Sequence, residues 1–104
     1  MNTIIIRQGD CLIRRIGDCP SAAVGKADPT LIEGEHSGHS HTLMGGVLLA
    51  DGTFAVADAA RLVHLQHGQE VEHPDHFPLA VPSGLWERIP QIEYDPVMPR
   101  QVQD

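Results

Sequence analysis

Seven histidines in 104 residues, three of them between positions 36 and 41, are the side chains of this sequence best equipped for chemistry. His39 and His41 stand two apart in Gly38-His39-Ser40-His41. On an extended strand such positions point to one face, so both imidazoles can meet one ion. Gly38, just before them, permits a backbone bend or a close approach. A second pair, His73 and His76, lies three apart across Pro74-Asp75, a spacing that suits a turn better than a flat strand. These four, His39, His41, His73 and His76, are the leading candidates for metal ligands. The expected cofactor is a divalent transition metal. Zinc, which imidazole nitrogen holds at about 2.0–2.1 Å, comes first, with iron, nickel or manganese as alternatives.

A second rank of candidates consists of His64 and His67, again three apart, and His36, which lies beyond the Gly38 bend. Glu35, Glu72 and Asp75 place carboxylates beside the imidazoles as ligands, hydrogen-bond supports or proton carriers. Glu35 and Asp75 are the candidate catalytic groups. The same residues also have a plainer reading. Gln, Glu and Ser surround the histidines, and a solvated or pH-responsive surface would carry the same letters. Other chemistry is thin. Ser37, Ser40 and Ser83 lie outside any nucleophile-elbow context, and no phosphate-cradling glycine loop, dinucleotide fingerprint or zinc-finger cysteine pair is present.

The elements that must position these side chains read as strands. Short β-branched runs alternate with Gly, Pro and Asp punctuation throughout. Residues 3–7 and 11–16 are expected strands joined at Gly9-Asp10, with Cys11 facing the core. Residues 17–29 are expected to form a surface loop, and residues 31–35 and 38–43 further strands. Asp51-Gly52 between two apolar runs has the composition of a two-residue type I′ hairpin turn. Residues 62–66 alternate as a strand, and one helical turn at residues 58–61 competes just before it. Residues 77–81 and 85–89 flank Pro82-Ser83-Gly84, which reads as a tight turn. The fold class is therefore all-β, a small antiparallel barrel or sandwich with at most one short helical turn. A single β domain is expected over residues 1–99, with residues 100–104 as a C-terminal tail.

Composition narrows the partners. The hydrophobic share of 41% is that of a globular protein. The formal charge of −7 disfavours phosphate backbones and anionic membranes, and only four aromatic side chains are available for base stacking. Protonating all seven histidines would bring that charge to zero. No run approaches transmembrane length, no signal-peptide h-region precedes Cys11, and two cysteines fit reduced thiols, so a cytoplasmic location is expected. Edge strands in so short a fold make homo-oligomerisation reasonable, alongside an unidentified protein partner.

Two resemblances attach to these residues. Gln8-Gly9-Asp10, Gly34-Glu35-His36-Ser37-Gly38-His39-Ser40-His41, His73-Pro74-Asp75-His76, Val81-Pro82-Ser83-Gly84-Leu85-Trp86 and Gln91-Ile92-Glu93-Tyr94-Asp95-Pro96 occur in that order. Together they resemble a widespread group of small, uncharacterised bacterial and phage proteins. Pro74-Asp75 stands where that group tends to have two glutamates, and Trp86 where it has tyrosine. The resemblance implies a β-rich domain and singles out His39, His41, His73 and His76, with no activity attached. More loosely, His39-Ser40-His41 resembles the ligand pair of cupins, small metal-holding β-barrels. No glutamate follows it within the next few positions, however, and the later histidines precede Pro82-Ser83-Gly84.

Three functional expectations follow. The first is a histidine-rich metal-binding β-protein in which the ion closes the fold or joins subunits. The second is a metal-dependent hydrolase or oxygenase with an open coordination position. The third is an acidic adaptor whose histidines sense pH.

Overall fold

A computed structural model describes residues 4–33, 38–70, 77–90, 92–93 and 100–101. His36, His73, His76, Glu35, Glu72 and Asp75 lie outside the described residues. The strands are β1 (Ile5–Gln8), β2 (Cys11–Gly17), β3 (Lys26–Ala27), β4 (Thr30–Glu33), β5 (His39–Met44), β6 (Val47–Leu48), β7 (Phe54–Gln66), β8 (Gln69–Glu70), β9 (Leu79–Arg88), β10 (Ile92–Glu93) and β11 (Arg100–Gln101). Among the described residues there is no helix. The all-β class holds. The architecture is one curled antiparallel sheet, a half-barrel with the strand order β1-β2-β9-β7-β5-β4.

The curl comes from irregularities in the long strands. Between the pairs Val56↔Gly84 and Ala59↔Pro82, Ala57 and Asp58 of β7 oppose Ser83 alone on β9. Such a bulge increases local twist and bends both strands. Register shifts also occur in β2 between Arg15 and Gly17 and in β4 between Thr30 and Ile32. Two sequence expectations are corrected here. The helical turn at residues 58–61 is strand, and Pro82-Ser83-Gly84 lies within β9 instead of turning the chain. Each is a local break whose partner is the other, so cross-strand pairing overrides both turn signals.

Asp51-Gly52 does form a hairpin, but of a different type. The amide of Gly52 donates to the carbonyl of Leu49, and the amide of Leu49 donates to the carbonyl of Thr53. Gly52 takes φ 89°, whereas Asp51 is not among the positive-φ residues. A type I′ turn needs positive φ at both central residues, and Asp51 instead uses its carboxylate to accept bonds from the Thr53 amide (3.0 Å) and hydroxyl (2.6 Å). The result is a three-residue loop with glycine at its left-handed end.

The expected loop at residues 17–29 contains β3, which pairs with β6. Arg100–Gln101, placed in the tail from sequence, pairs with Ile92–Glu93 in a separate two-stranded ladder. The concave side of the sheet is filled by Cys11, Ile13, Leu43, Phe54, Val56, Ala60, Leu62, Val81 and Trp86. Fully burying an aliphatic side chain of this kind contributes about 1.5–3 kcal/mol. Trp86, the largest of them, donates its Nε1 hydrogen to the carbonyl of Pro82 at 3.1 Å. No helix among the described residues is long and apolar enough to cross a membrane.

Candidate functional site

Alternation along β5 puts His39, His41 and Leu43 on one face, and Leu43 belongs to the core. Along β7, Leu62, His64 and Gln66 share the matching face. The register pairs Leu43 with Leu62, His41 with His64, and His39 with Gln66. The core-facing surface therefore passes from a leucine pair to a histidine pair, with His39 one step further along. His41 is also flanked on its other side by Ile32 of β4, so it sits in the middle of three strands and is 0% exposed. His64 is 3% exposed and His39 half-buried.

The three rings form a compact group. The His39 and His64 ring centres lie 4.9 Å apart, and those of His41 and His64 lie 5.0 Å apart. His39 Nδ1 and His64 Nε2 share a hydrogen bond of 2.9 Å. Such a bond needs one nitrogen with its hydrogen and one with its lone pair, so at least one ring of the pair is neutral. On the far side, His41 Nδ1 bonds Gln8 Oε1 at 2.9 Å. Gln8 comes from the end of β1 and is 1% exposed. Its Nε2 donates to the carbonyls of Leu62 (2.9 Å) and Phe77 (2.8 Å). A buried amide with partners on both its oxygen and its nitrogen is held in one position.

Of the expected ligands, the structure brings His39 and His41 together on one face and adds His64 from the second rank. His67 is different. It is exposed in the turn after β7, at φ 52°, and its amide donates to the carbonyl of Gly38. Its ring lies against Gly38, where a Cβ would come within 2.6 Å of it. The glycine expected to permit a close approach thus does so, and φ 68° there is a second demand for glycine. Among the described residues, no group of three or more His, Cys, Asp or Glu side chains is arranged to hold a metal ion. His39 and His64 aim nitrogens at each other.

Gln8 is the member of the site that residue types alone do not mark. Its only sequence signal is its place at the head of the Gln8-Gly9-Asp10 motif.

A family model described as a domain of unknown function, DUF8820, matches residues 7–91. The chain belongs to that family. The DUF8820 match runs from within β1 to beyond the end of β9, so Gln8, His39, His41 and His64 all lie inside the domain, whereas β10 and β11 lie past it. Membership agrees with the likeness to an uncharacterised group of small proteins and brings no activity with it. Neither curated proteins nor solved structures gave a match, so the looser likeness to cupins gains no support.

Proposed function

We propose that this DUF8820 domain is a metal-binding β-protein whose ion sits at the face formed by His39, His41 and His64. The observation that carries the reading is the meeting of three imidazoles, two of them buried, on one surface, with ring centres 4.9 and 5.0 Å apart. Paired strands give any two facing side chains such a spacing, and it also lies within reach of one ion bound at about 2.0–2.1 Å. A tetrahedral ion needs its nitrogens about 3.3 Å apart, so the 2.9 Å His39–His64 contact must open by a few tenths of an ångström. The shift would fall to His39, the half-buried ring of the pair. The ion then replaces a hydrogen bond between two imidazoles.

His73 and His76, singled out by the sequence, lie outside the described residues and are the further ligands to test. Four imidazoles would close a tetrahedral site and make the ion a structural clasp on the half-barrel. Three would leave a position for water, the arrangement that metal-dependent hydrolysis or oxygen chemistry uses. In that case Glu35 and Asp75 are the proton carriers to test. Zinc is among the ions that a neutral, imidazole-rich donor set suits.

Cobalt(II) reports on the coordination directly. Titrated into metal-free protein, it should give the visible absorption of a tetrahedral imidazole site, and His39→Ala and His64→Ala should each abolish or strongly weaken that band. Absence of any band at saturating cobalt, or an identical band in both variants, would overturn the proposal. Band intensity, together with displacement by added azide, distinguishes the open site from the closed one.

A further inference from the structure

We infer that Gln8 is a positioning residue that locks His41 in its Nδ1–H tautomer and thereby presents Nε2 as the lone-pair nitrogen of that ring. The donor and acceptor chemistry of three hydrogen bonds leads there. A primary amide nitrogen carries two hydrogens and accepts nothing, and a backbone carbonyl only accepts. Gln8 Nε2 sits 2.9 Å from the Leu62 carbonyl oxygen and 2.8 Å from that of Phe77. Turning the amide over would set Oε1 against both oxygens with no hydrogen between them. The amide orientation is therefore fixed by its surroundings, and both of its hydrogens are used.

The remaining atom, Oε1, is an acceptor, and it faces His41 Nδ1 at 2.9 Å. For that contact to be a hydrogen bond, Nδ1 must carry the hydrogen. In a neutral ring this leaves the lone pair on Nε2. Burial holds the arrangement in place, because Gln8 is 1% and His41 0% exposed, so the Gln8–His41 bond is shielded from bulk solvent. Gln8 also ties distant parts of the chain together. It is separated by 33 residues from His41, 54 from Leu62 and 69 from Phe77. A ligating imidazole almost always donates its other N–H to an oxygen, which orients the ring and raises its basicity. The meaning of the fixed tautomer for an ion rests on the metal site proposed above; the tautomer itself does not.

The test is a long-range 1H–15N correlation spectrum of metal-free, 15N-labelled protein at about pH 8, above the usual imidazole pKa. In the wild type, His41 should show a pyrrole-like Nδ1 and a pyridine-like Nε2. Gln8→Met keeps the side-chain length and removes the amide, and it should shift His41 to the Nε2–H form or to a mixture. Ile13→Val, which trims the same core on β2, should leave the pattern unchanged. A wild-type His41 in the Nε2–H form overturns the inference without any variant, so a poorly folding Gln8→Met does not shelter it. An unchanged pattern in folded Gln8→Met overturns it equally.

Zinc alone, titrated against a chromophoric competitor, separates the two proposals. Loss of an orienting partner should weaken zinc binding by about 10–100-fold. If the tautomer responds to Gln8→Met but neither protein binds zinc, the role of Gln8 stands and the metal site falls.

Discussion

Removing the Gln8 amide should be among the most costly single changes at the site. Gln8→Met takes two donors from the Leu62 and Phe77 carbonyls and the acceptor from His41 Nδ1, all at a position that is 1% exposed. A buried polar group left unsatisfied costs about 1–3 kcal/mol. A carbonyl oxygen has two lone pairs and loses less than a ring N–H, and the thioether adds roughly 1 kcal/mol of apolar burial in return. The net loss should be about 2–4 kcal/mol, a large part of the 5–15 kcal/mol that holds a typical domain together. For a chain of this length that lowers Tm by roughly 10–25 °C. Urea unfolding, followed by far-ultraviolet circular dichroism, should show the midpoint falling with an unchanged slope. A loss below about 0.5 kcal/mol, the range of an ordinary surface change, would refute the reasoning. It would mean that water reaches these groups and that the cluster is not sealed.

Three further outcomes are expected. Trp86→Ala should cost about 3–5 kcal/mol in the same assay, because Trp86 is fully buried and bonds the Pro82 carbonyl; a loss under about 1 kcal/mol would contradict its place in the core. Hydrogen bonds from the Thr53 hydroxyl and amide hold the Asp51 carboxyl below the usual carboxylate range. Its contribution to stability is therefore present above the unfolded pKa and lost as pH falls through the lower folded one. Thr53→Val should raise the Asp51 pKa in an NMR titration, and an unmoved titration would refute the link. Zinc at about a hundred times its Kd should stabilise the wild type by about 2.7 kcal/mol, a rise in Tm of roughly 10–20 °C that a chelator reverses. A Tm that zinc leaves unmoved would contradict the proposed site.

The local parts of this fold are legible in the sequence. Short β-branched runs mark β1 and β2, Gly9-Asp10 marks the turn between them, and the His-x-His spacing places two imidazoles on one face of β5. What escapes is pairing between distant segments. Ala57-Asp58 and Pro82-Ser83-Gly84 each look like chain breaks, and only their meeting across β7 and β9 shows them to be a bulge in two continuous strands. His64 joins the cluster because the register sets it opposite His41, and one residue of slip would send it to the other face. Gln8 is further out of reach, since its role is defined by partners 33 to 69 residues away. Residue type suggests the chemistry here, and the register decides which residues stand together.

Elemental analysis of protein purified without a histidine tag or a nickel column, loaded with zinc and then desalted, bears most directly on the central claim. The histidine face predicts about one tightly held ion per chain and near-complete loss of it in the double variant His39→Ala/His64→Ala. A wild type that retains no metal, or a double variant that retains as much as the wild type, would contradict it.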